Sequence, residues 1–240
     1  MDAARGQDTL VIVPTYCEKE NLSALAGEVL AALACELLVV DDDSPDGTGL
    51  LADGLAAREP RLHVLHRVGA PRGLGRAYLD GFRWALERGY GFVAQMDADF
   101  SHDPAALVEL RRACQEADLA IGSRYVPGGS TPGWSLGRRL ISRGGSLYAR
   151  LVLGLPLRDV TGGFKCWRAE ALARLGLDSV EARGFAFQIE MNHRAVRAGL
   201  RVREVPIRFV DRQRGVSKMS TRIFLEGLAA VWRIRGKAGG

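Results

Sequence analysis

Two aspartates spaced two residues apart are the strongest sign of chemistry in the sequence. Asp97 and Asp99 stand in "QMDADFSHDP", directly after the apolar run "YGFVA", so we expect them where a buried strand ends, projecting from one face. A turn there brings both carboxylates onto one cation, and hard divalent ions such as Mg²⁺ or Mn²⁺ suit such oxygen ligands. The alternative is capping of a helix that begins at Pro104, which explains Asp103 but not Asp97. We therefore favour a metal-bound pair.

Acidic and aromatic residues follow two other apolar runs in the same way. In "VVDDDSPDGTG", Asp41 and Asp42 are expected to be free to accept hydrogen bonds from a nucleobase or ribose, and "SPDG" to form a turn. In "PTYCEKEN", Tyr16 offers a face for a base and Glu18 a further acceptor. The same stretch is also explained as an ordinary strand end with Asn21 as a helix cap. The nucleotide and capping interpretations both stay open at this point.

Basic residues on loops near the same strand ends indicate anion binding, because guanidinium forks match phosphate oxygens. The candidates are Arg124 in "GSRY", Arg138 or Arg139, and Arg212, Arg214 and Lys218 in "DRQRGVSK". Most of the 33 lysines and arginines are interpreted as solvated surface charge. The histidines form no recognised catalytic arrangement and are interpreted as structural. They are His63, His66, His102 and His193.

The elements that position these residues alternate between short apolar runs and helical segments. Uninterrupted apolar runs such as "TLVIVPTY" and "ELLVVDDD" indicate strands buried on both faces, and their spacing suits right-handed βαβ units. Ligands of open parallel sheets bind at the carboxyl ends of the strands, which is where the polar residues gather. We predict a mostly parallel sheet flanked by helices at 21–33, 48–58, 74–88, 104–116 and about 185–198.

One α/β domain is expected over residues 1–240, with its core at about 8–210 and a basic loop and amphipathic helix at 211–240. The segment 138–152 and the C-terminal segment are either interfacial helices or helices whose apolar stripes pack on the sheet. The sequence shows no signal-peptide pattern and no window of roughly 18 uninterrupted apolar residues. We therefore expect a cytoplasmic protein that is peripherally attached to a membrane.

The formal net charge of +5 favours an anionic partner such as a nucleotide, a lipid phosphate, a membrane surface or nucleic acid. Nucleic acid is disfavoured, because the arginines belong to no recognised motif and no aromatic stacking platform accompanies them. The four cysteines are scattered without metal-binding spacing and are interpreted as reduced and structural.

Several motifs, taken in order, resemble those of the inverting GT-A glycosyltransferases of family 2, and most nearly those of dolichol-phosphate or polyprenol-phosphate mannosyltransferases. They are "VIVPTYCEKENL", "LVVDDDSPDGT", "GLGRAYLDGF", "QMDADFSHDP", "GSRYVPGG", "DVTGGFKCWR", "FAFQIEM" and "EVPIRFVDRQRGVSKMS". The resemblance covers about residues 10–220. It implies a GT-A, Rossmann-like fold with interfacial helices and no transmembrane domain. It also implies metal-dependent transfer of mannose, with inversion, from GDP-mannose to a polyprenyl or dolichyl monophosphate.

The resemblance also assigns residues of this chain to the donor. The residues expected to contact the nucleotide are Pro14, Tyr16, Glu18, Val40 and Asp42. Asp97 and Asp99 would hold Mg²⁺ or Mn²⁺ against the diphosphate, with Ala98 close by. Ser101 stands where related enzymes commonly have Gln, and it is a shorter metal candidate that could act through a water.

The remaining implied residues are basic. Arg212 and Lys218 would close a loop over the diphosphate, while Arg124 and Arg138 would hold the lipid phosphate. Asp97, Asp99, Arg124 and Arg138 therefore form the expected catalytic set. A phosphate monoester is already a dianion near neutral pH, so no strong general base is needed. A separate membrane-anchoring protein is a possible partner.

Two other functions stay open. A related enzyme could move glucose or another sugar from UDP or GDP to a lipid phosphate. A non-catalytic nucleotide-binding module would bind GDP without turnover.

Overall fold

The computed structural model describes residues 8–181, 184, 186–211 and 221–237, with the backbone alone described for 221–226 and 237. The strands in this part of the chain form one seven-stranded sheet of order β3-β2-β1-β4-β6-β5-β7. They are β1 (Thr9–Thr15), β2 (Glu36–Asp41), β3 (Leu62–His66), β4 (Phe92–Gln95), β5 (Leu119–Ser123), β6 (Lys165–Arg168) and β7 (Val202–Pro206). All neighbouring strands pair in parallel except β6, which is antiparallel to both β4 and β5.

Helices cover both faces of this sheet. They are α1 (Lys19–Ala32), α2 (Thr48–Ala56), α3 (Leu74–Glu87), α4 (Leu107–Ala113), α5 (Leu136–Leu153), α6 (Ala169–Ala173), α7 (Ala186–Arg197) and α8 (Thr221–Lys237). Short 3₁₀ turns occur at Pro104–Ala106 and Leu177–Ser179. The expected mostly parallel sheet with flanking helices is confirmed.

The core has two layers because successive residues of a central strand point to opposite faces. Leu10 and Ile12 of β1 pack with residues of α3, α5, α6, α7 and α8. Val11 and Val13 pack with residues of α1, α2 and α4. The uninterrupted apolar runs therefore lie between two layers of helices. This was predicted, because apolar and polar residues do not alternate along them.

Of the two helix starts for which side-chain caps were predicted, one is capped as expected. Asp103 caps the turn at Pro104, since its carboxylate accepts a hydrogen bond from Ala105 N at 2.9 Å. The prediction for Asp103 is confirmed. Asn21 as a helix cap is wrong, because α1 begins at Lys19 and Asn21 lies in its first turn, donating its amide to Glu18 Oε2 at 2.9 Å.

Strand β6 was not predicted from sequence. It is four residues long, two of them basic, and so carries neither an apolar run nor a clear alternation. Its place between β4 and β5 is set by backbone pairing with residues about 45 to 75 positions away in the chain. No single-sequence pattern reports such a partner.

One face of α5 carries leucines that stay exposed. They are Leu136, Leu140, Leu147 and Leu151, with 51% to 76% of each accessible. Their spacing places them in one narrow arc of the helix, whereas Ser146 and Ala149 face the protein. For these leucines, the alternative that the apolar stripe packs on the sheet is therefore wrong, whereas Tyr148 and Val152 of the same helix pack against the core.

Helix α8 packs beside α5 and is buried on one side. The Tyr148 hydroxyl donates to Leu228 O at 3.2 Å, and Arg235 Nη1 donates to Val152 O at 3.0 Å. Val231 is buried while Trp232 is 56% exposed. The apolar stripe of α8 is therefore packed in the core at Val231 and exposed at Trp232. Among the described helices, none is both long and apolar enough to cross a bilayer.

Replacing Gly81 by alanine tests how closely α3 packs on the sheet. A Cβ at Gly81 would lie 2.8 Å from Ile12 Cγ2, so helix and strand would have to separate. Gly81→Ala is expected to lower the free energy of unfolding by about 1–3 kcal/mol in urea denaturation. The control is Gly27→Ala on the exposed side of α1, where the added methyl meets open space. It is expected to raise that free energy by about 0.5–1 kcal/mol, and equal effects would contradict the packing.

Candidate active site

Asp97 and Asp99 lie in the loop that follows β4, at the carboxyl edge of the sheet. The Tyr78 hydroxyl donates to Asp97 Oδ1 at 3.3 Å, and Asp97 N donates to His102 Nδ1 at 3.2 Å. Asp99 Oδ1 accepts a hydrogen bond from Ser101 N at 3.1 Å. Both carboxylates are therefore oriented by the chain itself, and both are partly accessible.

The backbone turns sharply at this loop and at two others. Among the described residues, the non-glycine positions with positive φ are Phe100 (59°), Cys17 (56°) and Asp43 (57°). They follow β4, β1 and β2, so all three lie at the carboxyl edge. Left-handed conformations of such residues cost about 1–3 kcal/mol and cluster at functional sites.

His102 is a buried residue that holds the backbone of the Asp97 loop. Its ring is 2% exposed and stacks on Phe164 with 4.7 Å between centroids. Burial lowers the pKa of His102, which fits a neutral ring whose Nδ1 accepts from the Asp97 backbone. The sequence interpretation of His102 as structural did not foresee that it holds a candidate metal ligand.

The donor set at Asp97 and Asp99 suits a hard divalent cation. Two carboxylates leave several positions of such an ion for water and phosphate oxygens. No group of three or more His, Cys, Asp or Glu side chains that could hold a metal occurs in the described part of the chain. Ser101 is 4% exposed, and its carbonyl accepts from Val210 N at 3.3 Å, so its backbone is part of the turn. Its role as a third ligand stays a prediction.

Asp41 and Asp42 already accept hydrogen bonds inside the protein. Asp41 Oδ1 accepts from the Ser44 hydroxyl at 2.6 Å. Asp42 accepts from the Arg67 guanidinium and from Gly73 N, the latter at 2.6 Å. The expectation that these carboxylates are free is therefore wrong. A carboxylate has about four acceptor positions, so contact of Asp42 with a nucleotide stays a prediction.

The other residues expected at the nucleotide lie along the same edge. Pro14 and Val40 are register partners on β1 and β2. Glu18 precedes α1, and Ala98 is 4% exposed between the two aspartates. Their contact with a nucleotide stays a prediction.

Tyr16 is covered on one side by an arginine that sequence reasoning missed. The Arg72 guanidinium lies 5.0 Å from the Tyr16 ring centroid, and its Nη1 donates to the Tyr16 hydroxyl at 3.1 Å. It also donates to Asp43 Oδ2 at 3.1 Å. The available signal was its position in a Pro- and Gly-containing loop, "GAPRGLG", before α3.

Arg124, directly after β5, is held by a buried ion pair. Its Nε and Nη2 donate to Asp159 Oδ2 and Oδ1, each at 2.7 Å, and Nη2 also donates to Thr161 Oγ1 at 2.7 Å. Burial by itself would raise the pKa of Asp159, but the Arg124 charge and hydrogen bonds outweigh it and hold that pKa below its usual range. Arg124 is thus a fixed cation, 8% exposed.

Arg138 meets Arg124 across one indole ring. The guanidinium carbon of Arg138 lies 4.1 Å from the Trp134 ring centroid, and that of Arg124 lies 5.8 Å from it. Arg138 also pairs with Asp211. The structure therefore brings together the two arginines expected to hold the lipid phosphate. Arg212, Arg214 and Lys218 lie outside the described residues.

A buried lysine and glutamine adjoin the site and were also missed. Lys165 of β6 is fully buried, and its Nζ donates to Gln188 Oε1 at 2.7 Å. Burial lowers the pKa of Lys165 to about 7. Both residues stand in motifs that carried the family resemblance, "DVTGGFKCWR" and "FAFQIEM", but neither had been given a role.

Sequence comparison places this site in a known family. A family model described as glycosyl transferase family 2 matches residues 10–176. An undecaprenyl-phosphate mannosyltransferase from Micrococcus luteus is 49% identical over 240 residues, covering 96% of this chain and 98% of the relative. A polyprenol monophosphomannose synthase from Mycolicibacterium smegmatis is 48% identical over 236 residues, covering 96% and 89%.

Solved structures share the fold at low sequence identity. One is glucosyl-3-phosphoglycerate synthase from Mycobacterium tuberculosis with Mn²⁺, UDP and glucosyl-3-phosphoglycerate, which has a TM-score of 0.69 and 18% identity over 97% of this chain and 80% of that one. A mannosyltransferase from Pyrobaculum calidifontis with GDP-Man and Mn²⁺ has a TM-score of 0.56 and 19% identity, covering 98% and 66%. The family match includes Asp97, Asp99 and Arg124, so the chain that carries this site belongs to glycosyl transferase family 2.

Proposed function

We propose that this chain transfers mannose from GDP-mannose to a polyprenyl monophosphate, with inversion, and that it needs a divalent cation. The observation that carries the proposal is the likeness to two polyprenyl-phosphate mannosyl-transferring enzymes at 48–49% identity over nearly the whole chain. The geometry supports it, because candidate cation ligands and two arginines lie at one sheet edge. Arg124 and Asp97 are close enough for their charges to interact.

The donor half of the reaction falls to Asp97 and Asp99. They would hold Mg²⁺ or Mn²⁺, which neutralises the charge that develops on the leaving diphosphate. Tyr78 and His102 fix the Asp97 side chain and backbone, so these ligands need little rearrangement when the donor binds. The nucleotide would contact Asp42, Tyr16 and the other strand-end residues. The diphosphate would contact Arg212 and Lys218.

The acceptor half falls to Arg124 and Arg138. A phosphate monoester with a second pKa of about 6 is largely a dianion at neutral pH and attacks the anomeric carbon without losing a further proton. What the site must supply is therefore orientation and charge balance. The buried Asp159 fixes Arg124 in place, while Trp134 provides a flat surface for Arg138.

The exposed leucines of α5 support peripheral attachment to a membrane. Four leucines share one arc of the helix, and Arg143 and Arg150 border that arc. Leucine faces flanked by arginine suit the boundary between acyl chains and anionic headgroups. Arg138 belongs to the first turn of the same helix, so its guanidinium would stand near the headgroup of a polyprenyl phosphate. A separate anchoring protein would act in addition to this face.

Transfer of radiolabelled mannose from GDP-mannose to a short polyprenyl phosphate tests the reaction. Activity is expected to disappear with EDTA and to return with Mg²⁺ or Mn²⁺. Asp97→Asn and Asp99→Asn are each expected to lower kcat at least about a hundredfold, because the charge on the diphosphate is then less well balanced. Asp103→Asn is the matched control, since asparagine caps a helix as well as aspartate does.

Labelling from UDP-glucose with none from GDP-mannose would overturn the choice of sugar. GDP binding without any turnover would favour a non-catalytic module. Full activity in EDTA would contradict the metal requirement.

Removal of Asp159 tests the anchoring of Arg124. Asp159→Ala leaves a buried guanidinium without its carboxylate, so the free energy of unfolding is expected to fall by about 3–5 kcal/mol in urea denaturation. In buffer without urea, where the variant is still folded, KM for polyprenyl phosphate should rise more than KM for GDP-mannose. The control is Glu116→Ala, which breaks an exposed pair with Arg203 and should cost less than about 1 kcal/mol. Similar losses in both variants would contradict the anchoring role.

Cosedimentation with vesicles tests the leucine face. The double variant Leu140→Gln, Leu147→Gln is expected to bind anionic phospholipid vesicles at least about tenfold more weakly, because two apolar side chains leave the acyl region. Leu50→Gln is the control, since Leu50 is 80% exposed on α2, on the other face of the sheet. Equal loss in control and double variant, or unchanged binding in both, would refute this surface.

A further inference from the structure

Gln188 has an amide group that the described structure leaves half-paired. The side chain is 2% exposed, and its Oε1 accepts from Lys165 Nζ at 2.7 Å. Its Nε2 has no hydrogen-bond partner in the described part of the chain. Buried polar groups are nearly always paired with protein, water or ligand, so an unpaired amide at the edge of a candidate site offers a donor to whatever binds there.

Lys165 sets which way this amide points. Lys165 Nζ donates to the oxygen of the amide, so the two N–H groups of that amide lie on the side away from the lysine. Lys165 Nζ also donates to the backbone carbonyl of Gln188 at 3.2 Å, which ties the lysine to both ends of the same residue. The contact with Lys165 therefore determines the orientation of the Gln188 amide.

Gly163 shows what the N–H groups face. A Cβ added at Gly163 would lie 3.3 Å from Gln188 Nε2 and 3.8 Å from both carboxylate oxygens of Asp97. One point is thus within contact distance of the orphan donor and of a candidate metal ligand. Gly163 thus places no side chain between Gln188 Nε2 and the Asp97 carboxylate.

We propose that Gln188 donates a hydrogen bond to a substrate oxygen that occupies the space beside Gly163 and Asp97, with Lys165 as its positioning residue. The inference rests on the proposed transfer reaction and adds a substrate-contacting residue to it. The bound oxygen belongs to a phosphate or sugar hydroxyl group. It comes either from the nucleotide sugar or from the lipid phosphate, since the two substrates must meet next to the cation.

Gln188→Glu is the most informative variant because it separates the two roles of the side chain. Glutamate keeps the length and still accepts from Lys165, but it has no N–H to donate and it adds a negative charge near Asp97. Gln188→Met, which lacks the N–H and adds no charge, is therefore assayed beside it and is expected to lose activity as well. The melting temperature of Gln188→Glu is expected to be equal to or above that of the wild type, while kcat/KM falls about ten- to a hundredfold. Activity within twofold of the wild type would reduce Gln188 to a structural partner of Lys165 and overturn the proposal.

Gly163→Ala is the second variant, and it keeps the Gln188 side chain while crowding its amide. The added methyl group lies 3.3 Å from Gln188 Nε2 and narrows the proposed oxygen site, so a loss of activity comparable to that of Gln188→Glu is expected. Gly27→Ala on α1 serves as the matched glycine control and should keep wild-type activity. Normal activity of Gly163→Ala would show that no substrate atom uses this space, and would overturn the proposal.

Calorimetry of GDP-mannose binding in the presence of Mn²⁺ and without acceptor identifies the source of the oxygen. Weaker donor binding by Gln188→Glu assigns it to the nucleotide sugar. Unchanged donor binding with a higher KM for polyprenyl phosphate assigns it to the acceptor. If the wild type binds a nucleotide sugar but does not transfer mannose, the proposed function fails while the binding comparison still tests Gln188. If no nucleotide sugar binds, both are overturned.

Discussion

The antiparallel insertion of β6 between β4 and β5 is the constraint on which the candidate site depends. Because β6 runs against both neighbours, β4 and β5 point the same way, and Asp97 and Arg124 emerge at one edge. The segment entering β6 contributes Asp159, which fixes Arg124, and Gly163, which places no side chain between Asp97 and Gln188. Lys165 in β6 then orients Gln188 from behind. One short strand thus connects both halves of the site.

The edge of the sheet is held by contacts that oppose local backbone preference. Phe100, Cys17 and Asp43 adopt left-handed conformations, which are uncommon for residues other than glycine and least so for aspartate. Around them, hydrogen bonds fix the turns: Ser44 Oγ accepts from Cys17 N at 3.1 Å, and Asp99 accepts from Ser101 N. Such backbone conformations lower stability and persist only where the surrounding contacts hold them, and they cluster at ligand-binding and active sites.

Sequence reasoning reached those parts of the site whose signal is local. The strand ends, the aspartate pair and the cap at Asp103 are each written within a few consecutive residues. Asp42 was placed correctly at a strand end but wrongly thought free, because its partner Arg67 lies 25 positions away. The roles of Lys165 and Gln188 were missed because these residues, too, are far apart in the sequence. A buried lysine in a short strand and a glutamine in a helix acquire meaning only when tertiary packing brings them together.

Helix α5 joins two properties that are usually found on separate elements. Its leucines face outward along the helix, and Arg138 stands in its first turn. If the leucine face lies on a bilayer, the helix confines the enzyme and a lipid-linked acceptor to the same surface. Encounters between them would then occur by lateral diffusion, so the rate would follow the density of acceptor in the membrane rather than its concentration in the bulk solution.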